Sequence, residues 1–383
     1  MNLNNQGPNK TYDIAIIGGG IIGMATAYYL SQIQKGIKLA IIERKYIGSG
    51  STGRCIGGIR QQFSTPTAIR LMKENIELFS QMKEEFGFTV EFHQGGYLLL
   101  AHSEEMVDIF KTNIRLQQQE GVKVSLLNPG EAKKVVPDLD IQDLLAAAFC
   151  PDDAQAFPFA VLKGYKKRID ESNGDFYFYN AVTGMEKKKN FLLTLEDGSI
   201  LEAEKLLLCT GPWTRDLAAK LGLDIPLYPE RHEATITERI PKFFEPMVVD
   251  YRKDGCYFHQ LISGQVIGCY TPVPNVPGIR EDTSFEFLPQ LARRMTRLMP
   301  NLGKAAILRH WAGCYTMSPD GNPIVDAAEI ENLYISAGMC GHGFMFGPAL
   351  GKHMAHFMLS GAWDMDFSEF ARNRAFQGKE TLK

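Results

Sequence analysis

Apolar runs and glycine turns alternate along the start of the chain. Residues 13–17 form a short buried run that predicts a strand, 24–34 predict a helix, and 37–42 a second strand. Farther on, 67–86 predict a helix, 94–101 a strand and 104–120 an amphipathic helix. Asn128, Pro129 and Pro137 punctuate the next segment. The stretch 150–158, CPDDAQAFP, reads as a crossing between domains, and 158–172 as a helix. The runs 191–196 and 200–204, joined by Asp197-Gly198, predict a hairpin. A buried strand is expected at 205–209. Short strand-like runs at 233–237, 256–260 and 265–270 suggest a mixed sheet separate from the first. A helix at 284–299, a third buried strand at 333–337, four glycines and a helix at 348–360 complete the pattern.

The pattern implies a nucleotide domain assembled from three pieces, 1–92, 151–225 and 311–383. A second domain takes 93–150 and 226–310. The length of 383 residues agrees with two domains.

Charge and cysteines narrow the class. A net charge of −3 argues against a nucleic-acid partner. The seven cysteines contain no C-x-x-C pair, so neither a zinc site nor a redox dithiol is suggested. An odd, scattered set fits a reducing compartment. The polar residues 1–10 carry no apolar leader core, and no run reaches the roughly 18 apolar residues of a membrane span. The expectation is a cytoplasmic protein without an integral membrane segment, with peripheral membrane contact left open.

The candidate chemistry begins at the first turn. Gly18-x-Gly20-x-x-Gly23 lies between a predicted strand and a helix. Gly18 permits the tight turn, Gly20 lets a pyrophosphate approach the backbone, and Gly23 lets helix and strand pack closely. The helix N-terminus then offers free N–H groups to phosphates. Glu43 follows the second strand, where a carboxylate can accept from ribose hydroxyls. The motif alone leaves NAD and FAD open. A small-residue loop at 48–63, carrying Arg54 and Arg60, fits a surface lying along a flavin and its phosphates.

Five segments occur in order: GGGIIG at 18–23, GSTGR at 50–54, CTGPWT at 209–214, WAGCYTMSPDG at 311–321 and SAGMCGHGF at 336–344. Together they resemble the FAD-dependent amine and amino-acid oxidoreductases of the D-amino-acid oxidase and sarcosine oxidase group. Within it they look most like the beta subunits of heteromeric sarcosine oxidase and dye-linked L-proline dehydrogenase. The resemblance implies an α/β (α+β) fold: a Rossmann-like FAD-binding domain of the glutathione reductase type with a second, mixed-sheet substrate domain.

It also implies roles. Gly18, Gly20, Ile22 and Gly23 would meet the pyrophosphate of FAD, and Glu43 with Arg44 the adenosine. Ser51, Thr52 and Arg54 would lie near the flavin or its phosphates, Val182 at the adenine, and Gly211 and Trp213 against the cofactor. Gly341, His342, Gly343, Phe344 and Met345 would bring N–H donors to the pyrimidine edge of the flavin. On the substrate side the resemblance points to Arg60 for the carboxylate, with Tyr257, His259 and Tyr315 lining the pocket. A salt bridge for Arg60 and a structural role for His259 stay open.

Two departures from the family pattern shape the expectation. In monomeric sarcosine oxidases the flavin-bearing cysteine stands one position earlier than Cys314. In a strand that shift turns the side chain to the other face, so non-covalent FAD is expected. Those enzymes also use a lysine where Met345 stands, which favours the proline dehydrogenase-like beta subunits. The implied reaction oxidises an amino acid at its Cα–N bond, passing hydride to flavin N5 and giving an imine. Oxidation of a hydroxy acid or glycerol phosphate stays open, as does a flavin-bearing scaffold subunit. A second subunit accepting electrons is expected, with the loop around Cys55 a candidate to face it.

Overall fold

The computed structural model describes residues 10–378 and 380–382; residues 1–9 of the polar tail lie outside them. The first sheet has five parallel strands at its centre. β1 (Lys10–Ile17) lies between β2 (Leu39–Glu43) and β11 (Ile200–Leu208). β8 (Asp175–Phe178) adds outside β2, and β19 (Leu333–Ala337) outside β11. β18 (Ile324–Ala327) pairs antiparallel with β19 at the edge. β9 (Val182–Lys187) and β10 (Phe191–Leu195) make a hairpin that joins the start of β11. Both faces of β1 are packed, which is why its sequence runs apolar without alternation.

Among the differences between expected and observed elements, those in β11, α1 and α8 matter most here. The strands expected at 200–204 and 205–209 are one continuous strand. β11 is nine residues long; its first half pairs with β10 and its second half with β19, so one chain segment serves both the hairpin and the parallel sheet. The helix after the glycine turn, α1 (Ile21–Ile33), starts three residues earlier than expected and takes in Gly23. The last helix, α8, spans Gly343–Ser360 with Pro348 inside it. Pro348 lacks an N–H, and Asn75 bridges the interruption. Its side chain donates to the Phe346 carbonyl at 3.4 Å and accepts from the Ala349 N–H at 2.9 Å. Asn75 belongs to α2 (Pro66–Phe86).

α1 and α8 pack closely. A Cβ at Gly351 would stand 2.6 Å from the Ala25 Cβ. α5 (Pro158–Glu171) packs against α1 and α2, and the short α6 (Thr214–Ala219) follows β11.

The second sheet holds β4 (Tyr97–Ala101), β5 (Ser125–Leu127), β6 (Ala146–Cys150), β12 (Tyr228–Thr237), β13 (Met247–Asp250), β14 (Tyr257–Gln260), β15 (Val266–Tyr270), β16 (Val276–Pro277) and β17 (Ile307–Met317). β17 pairs with β12 along its length, so the boundary expected at 311 falls inside a strand of this sheet. α4 (Pro129–Val135) and α7 (Phe287–Leu298) bury their apolar residues with Leu98, Val248 and Phe258 on one face. α3 (Glu104–Gln119) packs toward the core shared with α1 and α2. A two-stranded sheet, β3 (Gly58–Ile59) with β7 (Ala154–Gln155), ties the two parts together.

Candidate active site

A cleft of about 810 Å³ runs between the C-terminal end of β1 and one face of the second sheet. Its phosphate-binding features come from backbone geometry. Gly18 has φ +123, and a Cβ there would stand 2.5 Å from the Cys209 carbonyl oxygen. A Cβ on Gly23 would stand 2.0 Å from the Gly18 oxygen. Gly23 does not line the cleft; it lets α1 pack against the turn that does. The N-cap residue of α1, Gly20, has no side chain to cap the helix, and no acidic residue sits in its first turn. The Thr52 hydroxyl accepts the Ile21 N–H at 3.1 Å, which leaves the next turn positions facing the cleft with Ile22. That is the geometry an anion requires.

Glu43 closes the same end. Its carboxylate accepts from the Gly19 N–H at 2.9 Å, the Lys45 N–H at 2.9 Å and the Ser49 hydroxyl at 3.2 Å. A carboxylate has about four acceptor sites, so the side chain is held rigidly with capacity left for a hydroxyl. Arg44 lies over the Trp213 ring at 3.5 Å, and with Gly211 and Val182 they line this part of the cleft. Ser51 donates to the Cys314 carbonyl at 2.6 Å, fastening the loop to β17. Arg54 donates to the Ser49 carbonyl and pairs with Glu281 at 3.0 Å.

α8 presents its N-terminus to the cleft. Gly341, His342, Gly343, Phe344 and Met345 all line it, and no acidic residue occupies the first turn. The glycine cradle, the N-terminus of α1 and this second helix end fit an extended dinucleotide.

The facing wall is built mainly from alternate residues of the second sheet, with Glu233, Cys314 and Thr316 also bordering it. Glu230, His232 and Ala234 of β12, Tyr257 of β14, Cys269 of β15, and Trp311, Gly313 and Tyr315 of β17 all line the cleft. The Tyr257 and Tyr315 hydroxyls are 2.9 Å apart. Burial pushes both hydroxyls far up, so they stay protonated. His232 stacks on Tyr315, and its pKa is lowered by burial against the pull of Glu230, whose carboxylate is 3.9 Å away. Sequence reasoning passed over His232 and Glu230, although their spacing of two on a strand was the available signal.

Arg60 lines the cleft and is 3% exposed. It donates to the Tyr251 hydroxyl at 3.3 Å and to the Leu382 carbonyl, and its Nη2 is 3.1 Å from His342 Nε2. Burial works against its charge, but Tyr251 and Glu380 outweigh that and raise its pKa. Tyr251 is a further residue that the sequence did not single out.

Two expectations change here, for His259 and for Cys55. His259 does not line the cleft. It shares a face of β14 with Tyr257, but β7 covers it: its Nδ1 hydrogen-bonds Gln155, and burial pushes its pKa down to about 4. Cys55 lines the cleft rather than facing outward, and burial pushes its thiol up to about 12. The Cys314 thiol donates to the Arg280 carbonyl at 3.5 Å, and the strand period turns it from the face that carries Tyr315. Met345 is buried in the first turn of α8 and brings no charge to the wall.

Among the described residues no helix is long and apolar enough to cross a membrane. Three comparisons bear on the cleft. Sarcosine oxidase subunit beta of Rhizobium meliloti is 27% identical over 376 residues, 97% of this chain and 90% of that protein. The crystal structure of L-proline dehydrogenase from P. horikoshii matches with a TM-score of 0.90 at 34% identity, over 97% of this chain and 99% of that one. Glycine oxidase from Geobacillus kaustophilus shares the fold, with a TM-score of 0.86 at 24% identity over 95% of this chain and 99% of that one. A family match runs from residue 13 to 357, through the glycine cradle, both walls of the cleft and the start of α8, and the chain belongs to the FAD-dependent oxidoreductase family.

Proposed function

We propose that the chain oxidises the carbon–nitrogen bond of an amino acid, with FAD held non-covalently along the cleft. The observation that carries this reading is one cleft lined both by the turn at Gly18, Gly20 and Ile22 and by a buried arginine with a tyrosine pair. FAD, when bound, supplies the hydride acceptor. Ile22 at the N-terminal end of α1 would take the pyrophosphate, Glu43 a ribose, and the first turn of α8 the pyrimidine edge of the flavin. Donors there stabilise negative charge as the flavin is reduced.

Arg60 would hold the substrate carboxylate. Its planar fork gives two parallel donors, and burial keeps that charge-assisted pair strong. Fixing the carboxylate fixes which C–H bond faces the flavin. The amine has to be neutral to release hydride, and the fixed charge of Arg60 lowers the pKa of an ammonium placed beside it. Tyr257 and Tyr315 stay protonated, donate hydrogen bonds and exclude water. The division into an FAD-binding part and a substrate part follows the two sheets, with β17 assigned to the substrate side.

The test is anaerobic mixing of the FAD-loaded chain with proline, sarcosine, glycine and other amino acids. Bleaching of the yellow flavin by one of them is expected. A fully loaded protein that none of them reduces overturns the reading.

We also propose that a second subunit takes the electrons, a reading supported by the similarity to a chain named as a beta subunit. Untagged purification from the native source is expected to yield a second polypeptide in fixed ratio. A homo-oligomer that turns over rapidly with oxygen and forms stoichiometric hydrogen peroxide overturns it.

A further inference from the structure

The crossing segment between the sheets lies directly behind Arg60. β3 and β7 pair antiparallel, Gly58 opposite Gln155 and Ile59 opposite Ala154, so the register brings Asp153 beside Arg60. Asp153 is 0% exposed. One carboxylate oxygen accepts the Gln61 N–H at 2.7 Å and the Gln61 side chain at 3.3 Å; the other accepts the Gln62 side chain at 3.1 Å. All three donors are neutral, and Asp153 forms no ion pair among the described residues. Two positions on, Gln155 hydrogen-bonds His259 and donates to the Gln260 carbonyl at 3.3 Å. Three consecutive residues therefore join the Arg60 loop to the strand that carries Tyr257.

A buried carboxylate without a counter-ion costs stability. Burial pushes its pKa up to about 6, against the lowering effect of the glutamine donors. The sign is unfavourable to folding: with the folded value above the unfolded one, stability falls as pH rises from the ordinary carboxylate range through about 6. Packing alone does not call for such a group, whereas a satisfied polar network fixes geometry.

We propose that Asp153 is a positioning residue, its carboxylate fixing the Gln61–Gln62 turn and so setting Arg60 relative to Tyr257 for the substrate's carboxylate. This rests on the reading of Arg60 as the carboxylate anchor. The titratable groups that act on Asp153 or feel its charge are the Cys150 thiol and the Tyr97 hydroxyl. Burial raises the pKa of the thiol and of the phenol, so both stay neutral at mild pH, while Arg60 keeps its charge.

Asp153→Asn keeps one acceptor for the Gln61 N–H and sets a donor against the Gln62 donor. It is expected to raise KM for the amino acid on the order of 10- to 100-fold, with FAD content and the flavin spectrum unchanged. The wild type is expected to lose kcat/KM as pH falls through about 6, and the variant to lack that inflection. The double variant Asp153→Asn, Arg60→Ala should be no worse than Arg60→Ala alone. Additive losses, or a wild-type KM in Asp153→Asn, overturn this inference while leaving the anchor reading standing. A wild-type KM in Arg60→Ala overturns the anchor reading and this inference with it. If Asp153→Asn does not fold, Gln62→Met removes one donor to the carboxylate; a raised KM is expected, and an unchanged one overturns the proposal.

Discussion

His232 lies flat on Tyr315, ring centroids 3.7 Å apart and planes 17° from parallel. The two sit on neighbouring strands: His232 is opposite Gly313, and Tyr315 is two residues beyond it on the same face. A Cβ at Gly313 would stand 3.0 Å from the Arg54 Cβ, so this glycine makes room for the loop that carries Arg54. Across from His232, the Tyr315 ring also meets the backbone at Gly341, where a Cβ would stand 2.5 Å from it. Tyr315 is thereby fixed before it reaches the Tyr257 hydroxyl.

Removing that support should loosen the wall. An aromatic pair contributes about 0.5–1.5 kcal/mol, so His232→Ala is expected to lower kcat/KM roughly 2- to 10-fold. His232→Phe keeps a flat ring and should recover most of the loss. Steady-state kinetics at matched FAD content checks both. Equal losses in the two variants would mean that the imidazole acts through its nitrogens rather than its face.

The glycine turn predicts a loss of cofactor. In Gly23→Ala the new methyl would stand 2.0 Å from the Gly18 oxygen, a backbone atom with nowhere to retreat. Overpacking of this kind costs about 1–3 kcal/mol, and here the shift falls on the phosphate-binding turn. The variant is expected to purify with a reduced flavin-to-protein ratio and a lower Tm. A fully loaded Gly23→Ala protein would count against the cradle.

How far the sequence carried depended on the range of the information. The strand–turn–helix at Gly18–Gly23 and the buried run of β19 were legible because each is set by neighbouring residues. β11 was divided in two because its halves differ in partner, and a partner strand is not written in local sequence. The start of α8 was missed because Pro348 reads as a helix beginning; only Asn75, distant along the chain, makes its interior position tolerable. His259 was misplaced for a similar reason. Its position on the strand was right, but the cover supplied by β7 comes from another part of the chain. The cleft itself was foreseen through motifs; its second wall, with Glu230 and His232, arises from the pairing of β12 with β15 and β17.

A pH dependence of stability is built into the packing of α8 on α2. His353 places Nε2 at 2.7 Å from Glu74 and Nδ1 at 2.6 Å from Asp364. Burial opposes its charge, but the two carboxylates outweigh that and raise its pKa above 6.5. A raised folded value means that the stabilisation is full below about 6.5 and is lost as pH rises through the folded pKa. Glu74 is lowered despite burial, by His353 and Lys352, so its part is present above about 4.5 and lost below. The Tm difference between wild type and His353→Gln should therefore be greatest between about pH 4.5 and 6.5 and shrink on the alkaline side. A difference independent of pH would mean that the histidine contributes by packing alone.

The thiol of Cys314 bears on how the flavin is held. A covalent link needs a cysteine on the cleft face of its strand, beside the flavin. In β17 Cys314 borders the cleft between Gly313 and Tyr315, but its thiol is turned toward the Arg280 carbonyl at 3.5 Å. Burial also raises its pKa, which keeps it a thiol rather than the thiolate that nucleophilic attack requires. Acid precipitation of the yellow protein is therefore expected to leave a colourless pellet and a yellow supernatant. Cys314→Ser should bind as much FAD as the wild type and release it in the same way. Colour retained in the wild-type pellet and lost from the Cys314→Ser pellet would show a bond through this sulfur, and would mean that β17 rotates its faces when the cofactor is in place.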